Sequence, residues 1–210
     1  VSAGVAITLE GPVWMTDKGE FCDDGDAYGC IVTHKITRPD MIIVGDEVAE
    51  EYVDMMIEDT SLYGKDERAF TWDKPVSDSD KKEFKVLVIG AGQSGILAGI
   101  RLNEAGINYT IVEKNQGIGG TWWENNYPGA RVDVANHFYS YSFEPNHDWP
   151  EHYSRQPQLA AYFDRCADKY KVKQHIQFET EVISCDYLTE QAQWSVVIRK
   201  ADGTESTERY

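Results

Sequence analysis

The sequence lacks any apolar run long enough to cross a bilayer, where about twenty residues would be needed, and Val1 to Leu9 has neither the charged start nor the cleavage site of a secretory signal. It is short of positive charge as well. Twenty Lys and Arg stand against 36 Asp and Glu, a net charge of −16, which argues against a nucleic-acid or anionic-membrane partner, since either would call for a basic patch. Cysteine is scarce. Cys22, Cys30, Cys166 and Cys185 show no C-x-x-C spacing, and His34, His137, His147, His152 and His175 are scattered, so the reading is of reduced, packed thiols with neither a metal site nor a disulfide framework. These absences point to a cytoplasmic protein. The chain does not begin with Met and ends on Glu208-Arg209-Tyr210 just as a strand pattern starts, so an excerpt of a longer protein is expected.

What is present is concentrated in Lys85 to Glu113, KVLVIGAGQSGILAGIRLNEAGINYTIVE. Val86 to Ile89 form a continuous apolar, mostly β-branched run of the kind buried on both faces of a parallel sheet. Gly90, Gly92 and Gly95 follow at once. In a G-x-G-x-x-G turn the first glycine permits the tight turn, the second lets backbone approach a pyrophosphate, and the third lets the helix pack on the strand. The phosphates would sit at the helix N-terminus, where N–H groups and the macrodipole favour negative charge. The helix should stop at Ala105-Gly106, and a second strand, Asn108 to Val112, delivers Glu113. That acid lies eighteen residues past Gly95, close to the spacing of about twenty at which a carboxylate receives a ribose hydroxyl. It also favours an unphosphorylated ribose, as in FAD or NAD.

The other segments carry less chemistry. Asp46 to Leu62 reads as a helix with Asp46 as N-cap and Val48, Tyr52, Met55 and Met56 on one face, and that face suggests homodimerisation. Met41 to Val44 is a short candidate strand or buried connector. Thr71 to Lys82 reads as a solvated linker, which divides the chain into an extension and linker, 1–78, and an incomplete nucleotide-binding domain, 79–210. Lys114 to Asn136 is an irregular, aromatic-rich loop, and the aromatics from Phe138 to Trp149 suit either a core or a wall for a flat heteroaromatic ring. A helix over Pro157 to Tyr170 should turn Leu159, Tyr162, Phe163, Cys166 and Tyr170 inward. Strands follow over Ile176 to Thr180, Glu181 to Tyr187, Trp194 to Arg199 and, after Ala201-Asp202-Gly203, through Tyr210. Hairpin strands inserted after a βαβ unit suit a flavoprotein better than a plain NAD dehydrogenase.

At Gly119-Gly120-Thr121-Trp122, Asn126 to Asp133 (NYPGARVD) and Tyr139 to Pro145 (YSYSFEP) the chain resembles the class B flavin-dependent monooxygenases, and within them the Baeyer–Villiger type. The resemblance implies an α/β fold, a Rossmann-like FAD-binding domain with an inserted β-meander, preceded by a small, mainly helical N-terminal extension. It implies FAD and NADPH as cofactors, with O2 and a small ketone as reactants, and insertion of oxygen beside the carbonyl. By resemblance Gly90, Gly92, Ser94 and Gly95 would surround the pyrophosphate and Glu113 the ribose. Gly120, Thr121, Trp122 and Trp123 would pass the ribityl chain and flavin, Asp133 and Tyr139 would lie near the isoalloxazine, and Val182 would contact the adenine through its backbone. Asp133 is the residue assigned to chemistry, supporting an arginine from outside this chain; the bland alternative is that it pairs with Arg131 or caps a helix starting at Val134. An N- or S-oxidising flavin monooxygenase, or a non-catalytic FAD-binding fragment, are the alternative functions. The NADPH motif and the active-site arginine are not among these residues, so the fragment alone is expected to be inactive.

Overall fold

The computed structural model describes residues 66, 68–136, 138–146 and 148–210, together with the backbone of four short strands: β1 (Val5–Ile7), β2 (Trp14–Met15), β3 (Phe21–Cys22) and β4 (Ile42–Val44). β1 pairs antiparallel with β4 and β2 with β3, so the strand expected at Met41 to Val44 is present. The expected helix over Asp46 to Leu62 and its apolar face lie outside the described residues. Two compact units are found. One comprises residues 69–130 and 156–210; the other comprises residues 1–68 and 131–155.

In the first unit the expected linker is ordered at its end. α1 (Asp78–Glu83) forms because Ser77 caps it through its hydroxyl, accepting from Asp80 N at 3.1 Å, with Asp78 and Asp80 in the first turn and Lys81 and Lys82 in the last, each complementing the helix dipole. The polar composition that reads as a linker is thus a capped surface helix. The preceding residues dock too: Trp72 Nε1 donates to Ala105 O at 3.2 Å, and Phe70 meets the Trp72 ring edge-on at 5.0 Å.

β5 (Lys85–Ile89), α2 (Gln93–Ala105) and β6 (Asn108–Val112) form the βαβ unit, with β5 and β6 parallel and in register from Lys85↔Asn108 to Ile89↔Val112. α2 ends on Gly106 at φ 70°, the left-handed C-cap that glycine adopts without a Cβ penalty. β7 (Ile176–Gln177) adds to the far side of β6, giving the order β5-β6-β7. β5 is therefore an edge strand. The expectation that it is buried on both faces is corrected: Val86 to Val88 are half-buried and Ile89 is 61% exposed, because nothing among the described residues pairs with its outer edge. A groove of about 960 Å³ runs there, lined by Phe84, Leu87, Ile89, Tyr187, Trp194 and Tyr210.

The core lies on the helical face of this sheet. α4 (Gln156–Lys169) follows the expected periodicity and buries Leu159, Tyr162, Phe163, Cys166 and Ala167 beside Ile96 and Ile100 of α2 and Ile111 of β6. Tyr170, expected inward, falls just beyond the helix and is half-buried. Tyr109 is buried on β6 and stacks on His175 at 4.3 Å; burial pushes its phenol up to about 12, so it stays neutral at ordinary pH. β8 (Thr180–Leu188), β9 (Gln193–Lys200) and β10 (Glu205–Arg209) form a separate antiparallel meander, order β10-β9-β8, with a bulge between Val182 and Ser184. The strand expected over Ile176 to Thr180 divides instead, two residues to the parallel sheet and Thr180 to the meander. Cys166 is buried and Cys185 exposed. Among the described residues no helix is long and apolar enough to cross a membrane.

Candidate functional site

The first unit gathers two glycine loops and one acid at the C-terminal ends of β5 and β6. Gly90 sits at φ +92°, a left-handed conformation that glycine alone adopts freely, and its N–H donates to Val112 O at 2.8 Å. Gly95 is fixed by contact. A Cβ there would lie 1.9 Å from Gly90 O, so only hydrogen lets α2 begin this close to the strand end. Gly92 is the N-cap of α2 and makes no side-chain cap bond.

The second loop, Gly117 to Gly120, is pressed against the first. Gly119 N donates to Ala91 O at 3.0 Å, and a Cβ built on Gly120 would lie 3.0 Å from Gly92 Cα, so the two backbones touch with no side chain between them. Gly120, at φ +54°, also starts the short helix α3 (Thr121–Glu124), which gives order to a loop expected to be irregular. Trp122 and Trp123 then diverge. Trp122 is buried, and its carbonyl accepts from the Gln156 side chain at the start of α4; Trp123 is exposed and lies over Gly117, where its ring occupies the place of a Cβ.

Glu113 closes the cluster. It is 4% exposed, and each oxygen accepts one backbone N–H: Oε2 from Ala91 at 2.7 Å and Oε1 from Asn115 at 2.8 Å. Those two bonds account for the burial of a carboxylate, and each oxygen keeps a second lone pair. Its own backbone joins β7 and the start of β8, N–H to Gln177 O at 2.9 Å and C=O from Thr180 N at 2.9 Å, and Val182 lies two residues further along β8. Next to it, Lys114 pairs with Glu124 at 2.9 Å; the hydrogen bond to Glu124 holds the Lys114 ammonium above its ordinary range, while Asn115 and then Lys114 hold the Glu124 carboxyl below its own.

The structure thus brings together Gly90, Gly92, Ser94, Gly95, Glu113, Gly120, Thr121, Trp122 and Trp123, with Val182 on the adjoining strand. Sequence reasoning missed Ala91, Asn115 and Gly119, which act through backbone atoms that any residue supplies, and Gln156, whose bond spans 34 positions. Asp133 and Tyr139 belong to the other unit. There Asp133 is exposed and Tyr139 half-buried. Neither bland alternative for Asp133 is seen among the described residues: no helix begins at Val134, and Arg131 reaches Glu151 at 3.4 Å. Several of the downstream aromatics pack internally; Tyr141 and Trp149 are buried, and Tyr141 stacks on Phe143 at 5.3 Å.

A glycine cradle at a helix N-terminus, with a buried acid at the end of the next parallel strand, defines a dinucleotide-binding domain. Residues 88–165 match the NAD(P)-binding Rossmann-like domain family. Over these residues and beyond, the chain is similar to Baeyer–Villiger and other FAD-binding monooxygenases. It is 40% identical over 116 residues to a Baeyer–Villiger monooxygenase of Streptomyces coelicolor, covering 55% of this chain and 22% of the relative. It is 37% identical over 135 residues to the FAD-binding monooxygenase stcW of Emericella nidulans, covering 63% and 22%. Among solved structures, an oxidised steroid monooxygenase bound to NADP superposes with a TM-score of 0.53 at 36% identity, covering 59% of this chain and 25% of that one. The chain therefore spans about a fifth to a quarter of the length of the relatives it matches.

Proposed function

We propose that this chain is the N-terminal portion of an FAD-dependent, NADPH-using monooxygenase that inserts oxygen beside a ketone carbonyl. The observation that carries the reading is Glu113, a buried carboxylate hydrogen-bonded to the glycine turn itself, so that ribose and pyrophosphate recognition share one rigid cluster. The cradle fits FAD on its own geometry: the approach of Gly92 to Gly120 leaves bare backbone where a pyrophosphate would need it, and the α2 N-terminus faces it. Gly90, Gly92, Ser94 and Gly95 would hold the pyrophosphate, Glu113 the ribose, Gly120 to Trp123 the ribityl side, and Val182 the adenine. Division at residue 78 into extension and FAD domain, and a cytoplasmic setting, belong to the same reading.

Bound FAD, reduced by NADPH, supplies the oxygen-activating chemistry; overall, ketone, O2, NADPH and H+ give ester, NADP+ and water. The chain's own contribution is binding and orientation. Asp133 is exposed, with no helix starting beside it among the described residues, and on this reading its carboxylate would fix the fork of an arginine supplied from outside this chain. The test is made on the full-length protein with FAD, NADPH and a panel of ketones. Ester formation with one NADPH consumed per product is expected, and Asp133→Ala should keep FAD yet divert most NADPH oxidation to hydrogen peroxide. No ester from any ketone would overturn the reading. An alanine variant with wild-type ester yield would leave Asp133 without a role.

Homodimerisation through residues Asp46 to Leu62 is the partner we assign to the extension, motivated by the apolar helical face in the sequence. Sedimentation of protein lacking residues 1–78 should show a monomer where the intact protein is a dimer; an unchanged oligomer would rule this out.

A further inference from the structure

Residues 131–155 carry Asp133 and Tyr139 on a segment whose described residues form no helix and no strand longer than one bridge, Arg131↔Arg155. Something other than regular structure must hold it. Besides that bridge, Val132 N donates to Ser154 O at 3.0 Å and Arg131 pairs with Glu151 at 3.4 Å, and a further set of ties converges on one residue, Asn136.

Asn136 is 0% exposed. Its Nδ2 donates to Glu151 O at 2.5 Å and to Ser154 Oγ at 2.7 Å, and its Oδ1 accepts from Ser154 N at 2.8 Å. The backbone is engaged as fully: its N–H donates to His152 O at 3.1 Å, and its C=O accepts from Tyr139 N at 3.1 Å and Ser140 Oγ at 3.3 Å. The outgoing and returning arms of the segment are thus joined through one planar amide, with Asp133 three residues before it and Tyr139 three after. The requirement is specific. Two donors and an acceptor on one short side chain are found only in asparagine; glutamine adds a methylene, and aspartate removes both donors while burying a charge against the Glu151 carbonyl. A buried polar network in which every member is satisfied rigidifies its segment, whereas a partly satisfied one loosens it.

Resting on the reading above, we propose that Asn136 is a positioning residue, which sets Asp133 and Tyr139 for productive oxygen transfer and takes no part in holding FAD. The second half of that statement follows from the bonds on each side: Gly90, Ala91 and Glu113 hydrogen-bond with Val112, Asn115, Gln177 and Thr180, whereas Asn136 bonds Tyr139, Ser140, Glu151, His152 and Ser154.

The experiment compares wild type, Asn136→Asp and Ser154→Ala in the full-length protein, measuring FAD affinity, apoprotein melting, the visible circular dichroism of bound flavin and the fraction of NADPH that yields ester. Ser154→Ala removes one acceptor of the Asn136 amide and leaves the backbone bonds of residue 154 in place. Expected are FAD affinity within about threefold of wild type in both variants, an altered flavin dichroism, and an ester fraction that falls about tenfold in Asn136→Asp and less in Ser154→Ala, the scale of losing one or two hydrogen bonds. Unchanged dichroism and coupling in both variants would overturn the proposal. So would loss of FAD and melting in Asn136→Asp with Ser154→Ala behaving as wild type, since Asn136 would then be needed for folding alone. If the wild type binds FAD but makes no ester, the functional reading fails instead, and flavin dichroism still decides whether Asn136 sets the environment of the ring.

Discussion

Gly95→Ala is expected to abolish FAD binding and lower the melting temperature of the protein by roughly 6–12 °C, from a cost of about 3 kcal/mol or more. The added methyl would meet Gly90 O at 1.9 Å and Gly90 C at 3.0 Å. These are backbone atoms of the strand-to-helix turn, so no rotamer can move aside. Relief requires α2 to shift away from β5, which breaks the pairing of Gly90 with Val112 and opens the turn that a pyrophosphate would occupy. Gly92→Ala is the control. Its methyl would meet Gly120 Cα at 3.5 Å and Gly120 N at 3.8 Å, ordinary contacts, so stability should hold while FAD affinity falls because the methyl intrudes on the bare backbone. Thermal melts and titration of the two apoproteins with FAD would check the contrast; equal melting temperatures for the two variants would mean that close packing at Gly95 is not what the third glycine provides.

That contrast marks how far the site was legible in the sequence. The third glycine, the strand after it and the acid at its end follow from local spacing, and all stand where they were expected because each depends on neighbours a few residues away. Burial of β5 was misread because a β-branched run reports what a strand suits, while exposure depends on which strands lie beside it; Ile89 on an open edge shows the difference. The helix at Asp78–Glu83 was missed although Ser77, Asp80 and the charge order from Asp78 to Lys82 state it, because a helix that buries no residue has no apolar period to find. Asn136 was not legible at all. Its partners lie 15 and 18 positions away, and one asparagine in a polar loop looks like any other until the fold brings Glu151 and Ser154 to it.

The last expected result concerns Glu113, where stability and binding meet in one side chain. Glu113→Ala leaves Ala91 N and Asn115 N buried or half-buried without their acceptors, at about 1–3 kcal/mol each, and removes charge-assisted bonds to a ribose worth about 1.5–3 kcal/mol. The FAD dissociation constant should therefore rise about tenfold to a hundredfold, with a lower melting temperature even before any cofactor is added. Glu113→Gln separates the two contributions. Its carbonyl can serve one of the two N–H groups, but its NH2 must then face the other donor, so glutamine should fall between alanine and wild type in both melting and affinity. The difference matters because Ala91 belongs to the glycine turn: an acid that only received a ribose could be lost without disturbing the pyrophosphate loop, whereas this one holds the N–H between Gly90 and Gly92 in place. Calorimetric titration of the three apoproteins with FAD, beside their melting curves, would check the order. Equal FAD affinity in the alanine variant and the wild type would remove Glu113 from the cofactor site and leave it as a brace for the turn.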